Sequence, residues 1–450
     1  MSLDTDFPAY PAPRELEAGR DEIFKYVLLL GALHIPLVFL MRASPWASTA
    51  HAALVVLLGL RFLLDRTPDR LVYLAGYIVG AELLWRMTDA NVFWEFGKYA
   101  VSLLLLLAIL RWRIHIHPLP IFYFALLVPA IPLVIGVLGS ERARQIISFN
   151  LSGPLTLAIA AIFFYAHTLD RTKFNWLATS IIVPILGIEA LTLYSTLSQE
   201  QIIFVASSNL ITSGGFGPNQ ISAILGLGTL LCWVYQFTCE KTASASRWLL
   251  LIIGMLFLIQ AGLTLSRGGV YNLLIAIPPA TYFFVRGNKK AWSLFIAGAA
   301  VVSLAFYFLL PYLNTYTQGM LLERFQDIET TSRQEMLIAD LQIWRDNPLY
   351  GVGVGISSLH RQAILGFYAA AHTEYSRLLA DHGLFGLMAL SLLGVMFIQA
   401  FRKAKGNLAR GIVLAFMLWS LAEMSHSATR IVAIPYLFAA PLAFLDLEKK

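Results

Sequence analysis

The chain is short of charge. Of its 450 residues, 13% are Asp, Glu, Lys or Arg and 58% are hydrophobic, whereas an ordinary soluble domain is about a quarter charged. A soluble core of this size needs a charged shell. The scarcity therefore excludes a conventional globular domain and leaves lipid as the solvent of most of the surface. Cysteine is equally scarce. Cys232 lies inside an apolar run and Cys239 at its end, which gives neither a disulfide framework nor a metal site. There is no HExxH, no P-loop and no zinc-type spacing, so no metal or cofactor is expected. The acid-x-acid triplet Asp4-Thr5-Asp6, of the kind that holds a metal and a sugar nucleotide, stands ahead of the first apolar run with no domain around it and is discounted. No internal repeat and no low-complexity stretch is present. Residues 1–22 are polar and rich in acids, with no small-residue cleavage site, so the first apolar run is expected to remain as a signal anchor.

What the chain does have is apolar runs. They fall at about 24–41, 47–64, 71–87, 99–112, 119–138, 153–168, 173–195, 217–238, 248–264, 268–286, 291–311, 376–399, 411–424 and 430–446. Several are shorter than the roughly 20 residues a spanning helix needs, so one or two are open to a re-entrant reading. The net charge of +6 could suggest nucleic acid. The basic residues instead sit in short clusters between the apolar runs, which is the pattern of membrane topology and not of a nucleic-acid face. With the N-terminus inside and strict alternation, the inside segments hold Arg66, Arg70, Arg111, Arg113, Arg171, Lys173, Lys241, Arg247, Arg286, Lys289, Lys290, Arg402, Lys403, Lys405, Arg410, Lys449 and Lys450. With Arg14, Arg20, Lys25 and Arg61 these make 21 of the 33 Lys and Arg. The fold class expected is an all-α polytopic membrane protein of about 12–14 spanning helices. Its parts are a cytoplasmic tail at 1–23, eleven spans over 24–311, a large outer loop at 312–375, the C-terminal spans over 376–446 and a tail at 447–450.

Within the outer loop, Leu337, Leu341 and Trp344 repeat at helical spacing, so Arg333–Asp346 is predicted to be an amphipathic helix that Asn347-Pro348 ends. The Gly351–Gly355 run, GVGVG, then reads as a flexible turn. A nucleotide fingerprint would need a strand before it and a helix after it.

The outer face collects the residues suited to chemistry. His372 stands where the long loop meets a span, with Glu374, Tyr375, Ser376 and Arg377 beside it. An imidazole there can take a proton from a hydroxyl at physiological pH; equally, it can anchor a helix in the headgroup zone. Glu374 is the rival base, weaker at an unperturbed pKa near 4. Arg267, in the turn LSRGG, has the planar fork that suits a diphosphate, and its flanking glycines would let a phosphate come close. A turn arginine that binds lipid headgroups is the plainer reading. Arg142 and Arg144, in SERARQ, are further outer cations or else a solvated turn. In GGFGPNQ, residues 214–220, Pro218 suits the first turn of a helix. Asn219 and Gln220 would then offer amides to sugar hydroxyls, or simply start the helix. Inside the apolar runs, Glu82 and Arg86 are spaced to pair, Glu189 has no local partner, and Glu423, His426 and Arg430 follow one helix face. Ionisable groups in lipid are costly and so are functional candidates.

Together these residues resemble the bacterial O-antigen ligase and polymerase superfamily. The resemblance rests on the ordered set of GFGPNQ, the SRG turn at Ser266–Gly268, Trp344, NPLYGVG at 347–353, and a closing H-x-x-Y and G-L-x-G at 372–375 and 383–386. It covers mainly residues 205–400. It implies a GT-C-like helical fold in the bacterial inner membrane, with the active site facing the periplasm. It implies transfer of a glycan from undecaprenyl diphosphate to an acceptor hydroxyl with inversion, without metal or sugar nucleotide. The acceptor would be another glycan, as in a polymerase, or lipid A–core, as in a ligase. His372 corresponds to the family's loop histidine and Arg267 to its diphosphate-binding arginine. Many members carry a second arginine just before the PN pair. Here Thr212-Ser213-Gly214-Gly215 stands there, and the candidates for the second cation are Arg142, Arg144, Arg324 and Arg333. Asn219, Gln220 and Tyr375 are the glycan-binding candidates, and lipids are the other partners, with no nucleic acid. The alternative class is a flippase or transporter of lipid-linked oligosaccharide. That class would show repeat-related halves and polar groups near the midplane, whereas here there is no repeat and the polar groups gather at one face.

Overall fold

A computed structural model describes residues 22–205, 207–239, 244–287, 289–326, 331–367, 371, 373–426 and 429–447. His372 and the Asp4–Asp6 triplet lie outside the described residues. The described chain forms eighteen α-helices, which run in order as α1 (Glu22–Ala43), α2 (Pro45–Leu64), α3 (Pro68–Met87), α4 (Phe96–Trp112), α5 (Pro118–Ala125), α6 (Ile131–Tyr165), α7 (Arg171–Leu197), α8 (Pro218–Thr238), α9 (Ser244–Leu263), α10 (Arg267–Val285), α11 (Lys289–Tyr316), α12 (Met320–Gln326), α13 (Thr331–Asp346), α14 (Ser357–Leu365), α15 (Glu374–His382), α16 (Leu384–Lys403), α17 (Gly406–Met424) and α18 (Ala433–Ala439). Two three-residue strands, β1 (Thr168–Asp170) and β2 (Phe444–Asp446), pair in parallel and tie the end of α6 to the end of the chain.

Nine stretches of helix are long and apolar enough to cross a membrane among the described residues, so the chain is an all-α polytopic membrane protein. α3 is not one of the nine because it carries Asp69, Arg70, Glu82 and Arg86; it is buried among other helices, where lipid does not judge it. α4 has 17 residues and carries Lys98. Helix starts follow the local chemistry. Proline occupies the first position of α2, α3, α5 and α8, where no amide donor is needed. Asp170 caps α7 by accepting from Lys173 N at 2.8 Å.

The structure departs from the sequence reading in four places. SERARQ, expected as a turn between two spans, is helical within α6; the break comes earlier, at Gly139, with φ 71. The span expected from 376 is two helices, separated at Gly383 with φ 60. A β-carbon there would meet Leu349 and Gly351 backbone at 2.6–2.7 Å, so only glycine allows the chain to fold back. Third, the apolar face of α13 is not the predicted one. Leu337 and Leu341 are exposed, while Met336, Ala339, Asp340 and Ile343 are buried. Asp340 decides the rotation, because its carboxylate pairs with buried Arg361 and accepts from Ser376 Oγ at 2.6 Å. An ionic group seated with two partners outweighs a few exposed leucines, since leaving it buried and unpaired costs several kcal/mol.

Fourth, the GVGVG run is fixed. Gly351, Gly353 and Gly355 all adopt positive φ. Gly355 N and Ser357 N donate to the two oxygens of the Asp381 carboxylate at 2.9 and 3.2 Å. Successive amides in such a turn form an anion nest, and here the chain's own carboxylate fills it, which leaves no place for a nucleotide phosphate.

Candidate functional site

The site begins at the break between α9 and α10. Leu265 takes a left-handed conformation, φ 53, and Ser266 starts α10. Ser266 is tied down from α8: Ser222 Oγ donates to Ser266 O at 2.9 Å, and Ser266 Oγ donates to Asn219 Oδ1 at 2.8 Å. Gly269 makes this closeness possible, because a β-carbon there would lie 2.0 Å from Ser222 O. Gly269 thus serves helix packing against α8, while Gly268 faces His426, with β-carbon distances of 3.6–3.8 Å.

The first helical residue is Arg267, which is largely buried. Arg324 of α12 reaches the same break, with Nε donating to Leu265 O at 3.3 Å. Arg333 of α13 completes the set. Burial, then the positive charges of Arg267 and Arg324, hold its pKa below the ordinary arginine value. His426, just past α17, faces the same charges: burial, then Arg333 and Arg267, push its imidazole down to about 4, so it is neutral at physiological pH. Tyr271, one turn into α10, stands between Phe325 and His426, with ring centroids 6.2 and 6.4 Å away. Arginines gathered in this way place positive charge where an anion can be held, with a neutral imidazole beside them.

The residues around position 372 are held tightly. Ala371 O accepts from Arg430 Nη2 at 3.0 Å, and Thr373 caps α15 by accepting from Ser376 N. Glu374 is fully buried. Its Oε1 accepts from Arg377 Nη2 at 2.5 Å and Thr429 Oγ1 at 3.2 Å; its Oε2 accepts from Arg377 Nε at 2.9 Å and Thr429 N at 3.3 Å. Tyr375 donates its hydroxyl to Leu421 O at 2.8 Å. Gln220 Oε1 accepts from Arg86 Nη1 at 2.9 Å, and Arg86 pairs with Glu82 at 2.7 Å as its spacing predicts.

Arg142 and Arg144 lie exposed on α6, and Arg144 pairs with Glu141 at 2.9 Å. The charges that act on Arg333 and His426 come from Arg267, Arg324 and Arg333 instead. Arg144 borders a cavity of about 1050 Å³ between α4, α6 and the loop, whose wall also includes Tyr99, Phe149, Asn150, Ala371 and Arg430. Two features were out of reach of spacing arguments. Lys98 is buried in α4, and Asn272 Nδ2 donates to Glu423 Oε2 at 2.5 Å, which links α10 to α17.

No curated protein matches the chain. Residues 250–391, which contain Arg267, Arg324, Arg333 and the α15 segment, match the family model described as O-antigen ligase.

Proposed function

We propose that the protein transfers a glycan from an undecaprenyl-diphosphate carrier to an acceptor hydroxyl at the periplasmic face of the inner membrane, on a GT-C-like helical scaffold. The observation that carries this reading is the company of three arginines at the start of α10: Arg267 and Arg333 face His426, and Arg324 faces Arg333 and bonds Leu265 O. The leaving group is a lipid diphosphate, and positive charge placed where negative charge develops is the largest single aid to its departure. Three guanidinium groups provide that charge without a metal.

The acceptor oxygen bonds to the anomeric carbon as the bond to the diphosphate breaks. One displacement inverts the configuration, and the hydroxyl proton passes to His372. Glu374 is unsuited to take it, because its four hydrogen bonds occupy both oxygens. In this reading Glu374 is part of the scaffold that holds the N-terminus of α15. Arg267, Arg324 and Arg333 hold the diphosphate, while Asn219, Gln220 and Tyr375 support the surrounding elements. The cavity at Ala371 and Arg430 gives the acceptor glycan room beside position 372.

The test is release of undecaprenyl diphosphate. Purified protein in nanodiscs, given undecaprenyl-diphosphate-linked glycan isolated from the producing cells, is expected to liberate the carrier and lengthen or relocate the glycan. Carrier that stays glycosylated, while the same protein moves it across a vesicle membrane, would make the protein a flippase. The orientation is checked separately. A cysteine introduced at exposed Gln342 is expected to react with an impermeant maleimide on spheroplasts, and one at exposed Lys405 only after lysis. The reverse pattern overturns the placement of the site.

A further inference from the structure

The turn between α17 and α18 is held by an unusual set of side chains. Four charged residues direct polar atoms at the backbone of residues 429–432. Lys98 Nζ donates to Thr429 O at 3.3 Å. Glu374 accepts from Thr429 N. Arg86 donates through both terminal nitrogens to Arg430 O at 3.4 Å. Glu82 Oε2 accepts from Val432 N at 2.6 Å. Glu82, Lys98 and Glu374 are each at most 2% exposed. The fit extends to the packing: a β-carbon at Gly153 would meet Thr429 Oγ1 at 2.5 Å, so α6 lies directly against the turn.

Resting on the transfer reading above, we propose that Lys98, with Glu82 and Arg86, are positioning residues of the reaction. They act through the 429–432 backbone and touch no substrate. A turn between two helices can satisfy its backbone groups with caps and water. Ionisable groups buried in a membrane protein are costly and are retained where function needs them. Here three helices, α3, α4 and α15, together direct charge at the backbone of Thr429, Arg430 and Val432. The side chains that the turn carries go to the site: His426 faces Arg267 and Arg333, and Arg430 binds Ala371 O beside position 372. The clamp thereby fixes Arg430, and through it the chain at Ala371 beside the position of the base. The N-terminal helices, which lie outside the segment matched by the family model, enter the reaction by this route.

The experiment is a double-mutant cycle. Lys98→Met keeps the bulk and removes the charge. The variant is expected to insert and to bind undecaprenyl diphosphate much as wild type does, with an unchanged donor KM. Its turnover should fall on the order of 10²-fold, the effect of a misplacement of about 1 Å. Because Lys98 acts through the turn, Lys98→Met combined with Arg430→Met should lose far less than the product of the two single losses. Should Lys98→Met fail to insert, the isosteric Glu82→Gln takes its place in the same cycle. Losses that multiply, normal turnover in either single variant, or loss of undecaprenyl diphosphate binding together with turnover would each overturn the positioning role. Wild-type protein that binds and releases no undecaprenyl diphosphate removes the transfer reading itself, so the two failures are told apart.

Discussion

His372→Ala is expected to leave a membrane-inserted protein that binds undecaprenyl diphosphate and no longer transfers glycan. The loss should be on the order of 10²–10⁴ in rate, the usual contribution of a general base. The expectation rests on position and on elimination. Ala371 borders the large cavity and its carbonyl is bound by Arg430, and Thr373 caps α15 on the other side of position 372. The nearby arginines hold their protons too tightly to act as bases. Glu374, which the sequence offers as the rival, is enclosed by Arg377 and Thr429. Glu374→Gln should therefore behave differently. It leaves a buried Arg377 short of a partner and should lower stability, by about 3–5 kcal/mol if the pair is effectively broken. A thermal melt of the detergent-solubilised variant reads this loss, and material that remains folded should retain turnover. Near-normal turnover of His372→Ala beside a folded but inactive Glu374→Gln would exchange the two roles.

The second large effect is expected at the arginine cluster. Arg267→Ala and Arg333→Ala should each weaken binding of undecaprenyl diphosphate about tenfold to over a hundredfold, from the roughly 1.5–3 kcal/mol carried by a hydrogen bond to a charged group. The lysine variants should recover only part of this, since an ammonium keeps the charge and loses the fork. Arg144→Ala, on the exposed face of α6, is the control and should leave binding unchanged. Binding titrations with the carrier lipid alone read all five proteins without an acceptor. Equal losses at Arg144 and Arg333 would dissolve the distinction that the cluster draws.

Much of this architecture was legible from hydropathy and charge. Most of the apolar runs coincide with helix, although 430–446 holds only the short α18 and ends in β2; the Glu82–Arg86 pair forms as its spacing requires, and His426 was recognisable as a costly residue in an unusual place. What escaped the sequence was three-dimensional company. Lys98 reads as a stray basic residue at the start of an apolar run, because its partner is a carbonyl 331 residues away. The face of α13 was misjudged for a related reason. Hydropathy ranks Asp340 as a solvent residue, and only the position of Arg361 and Ser376 makes burial the better place for it. The proposal for the further cations likewise draws on assembly: nothing in the order of residues tells that Arg324 and Arg333 come near the start of α10 while Arg142 and Arg144 lie exposed on α6.

The cluster also has a divided origin. Arg267 belongs to the bundle, while Arg324 and Arg333 come from the segment between α11 and α14, so neither part alone holds the three cations. On the proposed reading, a hybrid that takes this segment from a relative would receive two of its three donor-holding cations from the new segment, and one whose two parts meet imperfectly would grip the carrier lipid weakly.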